Sequence, residues 1–342
     1  MQFLQPNSYN LTPMPKVTVV QVIYNNKRFI KPVFNAIYSQ TFKDFNVVAV
    51  ISDNDDGGKE FLKENFPQVE IIDPGYNIGF AAGHNLVFQK YSSEFFQLVN
   101  PDMIMEPNYI EELLKAFQDP KVGAATGKLL QWDTTRIPLV QHKGDPCVLD
   151  TTGVTISKSG RARDRGQHEV DSGQYDTLVN VDAVSGAGCM YRAAALSAVS
   201  PDASVGAGRE FFDTDFHSYW EDVDLSWRMV NAGWKNIFVP NAVGYHGRGA
   251  GSSEKGYSDV VGFIKHHAKL SPRIKQLNYK NHIFMYIKNS KYYYPQFFVR
   301  EFFMLWYVLF FEISTFKVLP EFLKQLPKMW QKRKYILNQF DV

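Results

Sequence analysis

Three groups of residues in this 342-residue chain have the types and spacing of a reaction centre: Asn100-Pro101-Asp102, Glu221-Asp222-Val223-Asp224, and His246. The first ends the apolar run that starts at Phe95. Proline cannot continue a β ladder, so the pattern reads as a buried strand delivering one carboxylate to its C-terminal edge. That edge is where α/β sheets bind ligands. A carboxylate beside the Asn100 amide is a hard-oxygen site, suited to Mg²⁺ or Mn²⁺ carrying the phosphates of a nucleotide, although an Asx-Pro turn closing a strand has the same sequence. In the second group the helix macrodipole accounts for any one acid at a helix start. Three carboxylates in four residues, with Trp220 beside them as an apolar wall, suggest one held partly out of water, where it works as a general base. His246 follows a short strand and precedes a Gly-rich stretch, a position that suits an imidazole metal ligand as well as a structural histidine.

Weaker patterns accompany these. Asp53 ends the second apolar run, where an acid accepts hydrogen bonds from a base or ribose, while Asp55 and Asp56 read as a solvated turn. In Asn77–Asn85 the small residues Gly79, Ala81, Ala82 and Gly83 let the backbone approach a ligand, and the helix starting there aims its first amides at a phosphate. The spacing differs from the dinucleotide fingerprint. Ser185-Gly186-Ala187-Gly188 interrupts a strand and marks a bulge or a close ligand approach. The basic stretch Arg161–Arg165 reads as a solvated, mobile loop, with a phosphate- or acceptor-facing role as the alternative.

The elements that must position these groups alternate between strand and helix. Lys16–Tyr24 and Phe45–Ile51 are strands of the kind buried on both faces, separated by a helix over 29–40. A helix over Lys59–Phe66, a strand over Val69–Asp73, a helix over 108–118 and a strand over Lys121–Leu130 follow. From Gln131 to Asp176 loops surround an antiparallel hairpin near Val154-Thr155-Ile156. Val179–Arg192 returns to strand, Glu221 opens a helix closed by Asn231-Ala232-Gly233, and Ile237–Val239 forms a short strand. The pattern divides into an arm over 1–15, an α/β domain over 16–250, and a helical extension over 251–342. In the extension Phe297–Phe311 is too short to span a bilayer. Tyr292–Tyr294, Trp306 and Trp330, with Lys317, Lys324, Lys328, Lys332, Arg333 and Lys334, form the aromatic and basic mixture of a peripheral membrane helix; packing on the core or on a second subunit fits the same pattern. The formal net charge of +2 argues against a nucleic-acid partner. Cys147 and Cys189 have neither zinc nor disulfide spacing, and no signal stretch opens the chain, so a reducing, cytoplasmic setting is expected.

Taken together, Thr18–Asn25, Asp53-Asn54, Asn77-x-Gly-Phe-x-x-Gly-x-Asn85, Leu98–Asp102, Ser185-Gly186-Ala187 and Glu221-Asp222-Val223-Asp224-Leu225 with Arg228 resemble the family 2 inverting glycosyltransferases of GT-A fold. Within that family the likeness is to bacterial rhamnosyltransferase- and galactofuranosyltransferase-like members. The resemblance implies a Rossmann-like α/β domain, with a mixed central sheet flanked by helices and a C-terminal helical extension. It implies metal-dependent transfer from a dTDP- or UDP-linked sugar to a hydroxyl of a glycan or lipid-linked saccharide, in cell-surface polysaccharide synthesis at the inner face of the membrane. Rhamnosyl-type transfer leads. Tyr24, Asn25, Asp53 and Asn54 would hold the nucleotide; Asn77, Gly79, Phe80, His84, Asn85, Asn100, Gly186 and Ala187 would complete the donor site. Asn100-Pro101-Asp102 stands in the place of the family's Asp-x-Asp with only its second acid, and His246 would complete the metal site. The base falls on Asp222, with Glu221 second, and Trp220 on the acceptor side. A homo-oligomer is compatible with this reading. The rival is a nucleotide-sugar-binding assembly protein without catalysis, against which the presence of both Glu221 and Asp222 argues. A nucleotidyltransferase would need a basic, Gly-rich loop after the first strand, where Tyr24-Asn25-Asn26 stands instead.

Overall fold

The computed structural model describes residues 15–51, 56–135, 147–176, 180–200, 209–247, 268 and 270–339. Asp53 and Asn54, nearly all of the N-terminal arm, and residues 248–267 lie outside them. The sheet is organised by β1 (Val17–Ile23), whose β-branched residues are almost all buried. It pairs in parallel with β2 (Phe45–Ile51) on one side and β4 (Phe95–Leu98) on the other, and β3 (Glu70–Ile72) extends the β2 edge. Beyond β4 the direction changes. β10 (Cys189–Arg192) runs antiparallel between β4 and β6 (Val122–Gln131), β11 (Lys235–His246) runs parallel to β6, and β5 (Met103–Met105) closes the far edge antiparallel to β11. β7 (Leu149–Thr151) pairs with the end of β6. The result is the expected mixed central sheet.

Alternation along β1 divides two cores. Val17, Val19 and Ile23 face one side, with α1 (Lys27–Tyr38), α2 (Gly58–Asn65) and α4 (Tyr109–Ala116) packed there. Val20 faces the other, with α3 (Gly79–Lys90), α5 (Ala193–Ala198) and α6 (Glu221–Asn231). A third cluster joins Val154 and Ala183 to the C-terminal helices through Phe216, Val223, Phe284, Met285 and Met329. These helices are α7 (Pro272–Asn289), α8 (Pro295–Phe311) and α9 (Leu319–Gln339). Helix α6 therefore belongs to two cores: Leu225 and Met229 face the sheet, while Val223 faces the C-terminal helices.

Three expectations are corrected. The strand over 179–192 narrows to β10, because Ser185–Gly188 leave the ladder to form a loop at the sheet edge. The short strand at Ile237–Val239 is part of the twelve-residue β11, which continues past a register break between Val239 and Val243. Pro240 falls in that break, where its missing N–H costs the ladder nothing. Arg161–Arg165 is not a mobile loop. Ala162–Asp164 forms β9, paired with β8 (Val154–Ile156), and Arg165 donates to the Thr152 carbonyl at 2.7 Å.

Candidate active site

Strand pairing alone brings Asp102 to His246. Asn100 turns the chain at the end of β4, its N–H donating to the Ala187 carbonyl at 2.8 Å, and β5 then runs back along β11 with Met103 opposite His246. Gly247 N–H donates to the Asp102 carbonyl at 2.9 Å, locking the two ends together. The His246 Nε2 lies 3.4 Å from Asp102 Oδ1 and 3.3 Å from Asn100 Nδ2. Its Nδ1 lies 2.9 Å from Oδ2 of Asp150, a buried carboxylate on β7. A carboxylate behind the ring fixes its orientation and leaves Nε2 toward Asp102, the second-shell arrangement common at metal-ligating histidines. Burial pulls the His246 imidazole down, but hydrogen bonds to Asp102 and Asp150 hold it up to about 9. Burial likewise opposes ionisation of Asp102, and His246 outweighs it, keeping the carboxyl below its ordinary range. The Asp102–His246 contact is a long hydrogen bond, and an imidazole nitrogen beside a carboxylate oxygen is a donor pair of the kind that ligates divalent cations. Among the described residues no group of three or more acid, histidine or cysteine side chains is arranged to hold a metal ion, and Asp150 meets His246 on the far side of the ring from Asp102.

The acid cluster is presented by a strained turn. Phe216 ends a short 3-10 segment, Thr214–Phe216, and His217 follows at φ 62°, ψ −64°. Ser218 N–H donates across it to the Phe216 carbonyl at 2.7 Å, which makes a γ-turn of the rare, positive-φ kind. Tyr219 (φ 71°) and Trp220 (φ 74°) continue with positive φ. Non-glycine residues in such conformations cost about 1–3 kcal/mol each and persist only where their surroundings over-determine them. Trp220 is the residue before α6, so the turn sets the direction of Glu221 and Asp222.

Asp222 Oδ2 accepts from Gly186 N–H and Oδ1 from Val223 N–H, both at 2.8 Å. Burial raises its pKa, and these two bonds work against the rise. Glu221 is buried, and its Oε2 has no hydrogen-bond partner among the described residues. Burial, then the charge of Asp222, drives it well above the ordinary glutamate value. Asp224 has another task. It is fully buried with Arg228 at 3.1 Å, Lys288 at 2.9 Å and Asn289 at 2.7 Å. Lys288 reaches on to Asp213 at 2.5 Å, and Lys332 joins Asp213 from α9 at 2.6 Å. Removing one partner from such a buried cluster leaves an uncompensated charge, at a cost of about 3–5 kcal/mol. Lys332 is thus spent in this cluster, and Arg333 donates to the Ile287 and Ser290 carbonyls. Neither belongs to the exposed basic surface expected from the sequence.

One cavity of about 580 Å³ contains both sides. Asn100, Asp102 and His246 line it with Phe80, Gly186, Ala187, Trp220, Glu221 and Asp222. Tyr24 and Asn25 are exposed at the C-terminal end of β1, on the same sheet edge but outside this cavity. Asn77 accepts from Gly79 N–H at 3.0 Å, and Gly79 itself lies against the His217 ring, where a Cβ would come within 2.5 Å of Nδ1. His84 and Asn85 are placed in the core rather than toward a ligand. His84 packs on Phe80, Phe88 and Phe212 and donates from Nδ1 to the Phe80 carbonyl at 2.9 Å, and burial pushes its imidazole down to about 4. Asn85 makes two hydrogen bonds to the backbone of Phe212. Arg163 and Asp164 on β9, within the basic stretch for which a phosphate- or acceptor-facing role is the alternative, also line the cavity; sequence reasoning missed Tyr219 in the turn and Ile274 and Asn278 on α7.

Residues 15–267 match the family model described as "Glycosyltransferase like family 2". The glycosyltransferase GlyA of Streptococcus pneumoniae is 26% identical over 115 residues, 33% of this chain and 16% of that protein. An uncharacterized glycosyltransferase of Haemophilus influenzae is 24% identical over 34% of this chain and 37% of its own length. The chain thus matches less than half of each of these two relatives. The N-acetylglucosaminyl-diphospho-decaprenol L-rhamnosyltransferase of Mycobacterium tuberculosis is 22% identical over 67% of this chain and 75% of its own. Among solved structures, a Pyrobaculum calidifontis mannosyltransferase in complex with GDP-Man and Mn²⁺ superimposes with a TM-score of 0.50 at 15% identity, covering 96% of this chain and 86% of that one. S. aureus TarS residues 1–349 with UDP gives 0.50 at 13% identity, over 93% and 80%. At these identities the likeness to both structures is one of fold.

Proposed function

The chain belongs to the family 2-like glycosyltransferases, and from that premise we propose that it moves a sugar, with inversion, from a nucleotide-diphosphate donor to a hydroxyl of a glycan or lipid-linked acceptor. The observation that carries this reading is the shared cavity, which has Asp102 and His246 on one wall and Asp222 and Glu221 on another. Rhamnosyl transfer in cell-surface polysaccharide synthesis is the leading assignment, supported by the similarity to the mycobacterial rhamnosyltransferase over two thirds of the chain. The donor's base and ribose would lie at the end of β1 beside Tyr24 and Asn25, and the diphosphate near Asn100, Gly186 and Ala187.

Inverting displacement needs a base on one face of the anomeric carbon and a stabilised leaving group on the other. Asp222 is the better base. Its two backbone hydrogen bonds fix the carboxylate and favour its charged form, whereas Glu221, more deeply buried beside it, favours holding a proton. Asp222 would take the acceptor hydroxyl proton as the oxygen attacks, with the Trp220 ring excluding water from that side. Asp102 and His246 would hold Mn²⁺ or Mg²⁺, a choice supported by the Mn²⁺ complex of the Pyrobaculum relative in fold; when bound, such an ion neutralises charge on a departing diphosphate. Asp150 would keep the His246 ring oriented. A panel of nucleotide sugars assayed for nucleotide-diphosphate release is expected to single out one deoxysugar or hexose donor, with the product of opposite anomeric configuration by NMR coupling constants. Retained configuration would end the single-displacement reading, and no release from any donor would favour the binding-protein alternative.

The C-terminal helices, which we take as a distinct extension beyond residue 250, give the second part of the proposal. On α8 only Phe297 and Val308 are buried; Phe302, Phe303, Trp306, Phe310 and Phe311 are all exposed. Exposed lysines at 317, 324, 328 and 334 follow. No single helix among the described residues is long and apolar enough to cross a membrane, and α8 meets the following helical segment at 110°. An apolar face beside lysines suits the interface of an anionic bilayer. Phe303→Ser/Trp306→Ser/Phe310→Ser is expected to abolish flotation with anionic liposomes at low salt and leave turnover of a soluble acceptor unchanged. Equal flotation of the native and triple-variant proteins would point to a face that packs against a second copy.

A further inference from the structure

The strained turn that presents the acids is held from outside the catalytic sheet. Asn281 of α7 is fully buried, and its Nδ2 lies 2.9 Å from the Phe216 carbonyl, 3.0 Å from that of Ser218 and 2.9 Å from that of Tyr219. Three carbonyl oxygens around one atom identify it as the amide nitrogen, since an oxygen there would be repelled by all three. These carbonyls flank the positive-φ residues His217 and Tyr219, so one side chain closes the γ-turn and the left-handed step after it. The turn also reaches the donor half of the site. The His217 carbonyl accepts from Ala81 N–H at 3.1 Å, and the His217 ring fills the space above Gly79. Beside Asn281 on the same helix, Asn278 accepts from the Trp220 indole N–H at 2.9 Å.

We propose that Asn281 is a positioning residue for the transfer step: it holds the His217–Trp220 turn in the conformation that aims Glu221, Asp222 and Trp220 into the cavity. This rests on the role given to Asp222 above. Released, the three positive-φ residues would relax toward ordinary backbone conformations, and the first turn of α6 would lose its fixed approach to Gly186. The donor wall formed by Asn100, Asp102 and His246 rests on strand pairing and would stay in place.

The test uses the full chain with Asn281→Ser, which is too short to reach all three carbonyls. Hydrogen exchange in residues 214–224 is expected to speed up without substrate present, kcat to fall about 10²-fold, the scale of a 1 Å misplacement, and donor KM to change far less than kcat, by way of the His217 contacts to Gly79 and Ala81. Asn281→Gln keeps the amide and should recover part of both the protection and the rate; it carries the same readouts if the serine variant does not fold. The control is Asn289→Ser, equally buried on α7 but bonded to Asp224 and the Met285 carbonyl instead of the turn. Native exchange and native kcat in Asn281→Ser would overturn the proposal, as would an equal loss of kcat in Asn289→Ser. The exchange arm needs no sugar, so it decides the clamp even if Asp222 is not the base.

Discussion

Asp222→Asn is expected to lower sugar transfer by ~10²–10⁴-fold, the usual worth of general-base catalysis, while donor affinity persists. Asparagine is nearly isosteric, and its single amide oxygen can still accept from one of the two N–H groups, of Gly186 or of Val223, that fix the side chain. It cannot take a proton from the acceptor. Glu221→Gln should cost less, because a buried carboxyl driven well above its ordinary value already carries a proton more readily than its neighbour. A greater loss in Glu221→Gln, with donor binding intact in both, would transfer the role to Glu221. The pH profile gives an independent check. Burial raises Asp222, so transfer should fall as pH drops through a value above the ordinary aspartate range, and this acid limb should vanish in Asp222→Asn. Asp224 is no longer a candidate, since its carboxylate is committed to Arg228, Lys288 and Asn289.

The second large effect is expected of Asp102→Ala, with turnover lost by about 10²–10³-fold, corresponding to several kcal/mol of charge stabilisation. Asp102 sits in a turn with a partly exposed side chain, so truncation opens no core cavity and the melting temperature should change little. Nucleotide-diphosphate binding, measured by calorimetry, should lose its response to added Mn²⁺ or Mg²⁺. Native turnover in EDTA, or a variant whose nucleotide affinity still rises with Mn²⁺, would remove the metal from the assignment and leave His246 as a structural bridge between two carboxylates.

Much of the central sheet was legible because its strands carry their own signal. Val17–Ile23 and Phe45–Ile51 are rich in β-branched residues, with only Thr18, Gln21 and Asn46 polar, the pattern of strands buried on both faces. Asp102 and Asp222 were legible for a related reason: each stands where an apolar or helical pattern stops. Contacts set by chain pairing were not. Asp150 lies in a three-residue strand, β7, too short to show a period, and its meeting with His246 depends on β7 and β11 flanking β6. His84 misled through its glycine-rich surroundings. Phe80, His84 and Phe88 are spaced by four, one face of a helix, and that face is the core. Asn278 and Asn281 were invisible because α7 is packed on several sides. With polar and apolar residues buried around its circumference, it lacks the single apolar stripe by which amphipathic helices are read.

The buried charges beneath α6 impose an order on synthesis. Asp213 and Asp224 leave the ribosome long before Lys288 and Lys332, whose ammonium groups they need. At about 5–20 residues per second, the roughly 100 residues from Asp224 to Lys332 take on the order of 5–20 seconds to make. Within that interval β11 and His246 are added, while the two carboxylates still lack the ammonium partners that the finished fold gives them, and Asn281 is absent until α7 has been made. The charge cluster beneath α6 is therefore complete only after the apolar face of α8 has been made.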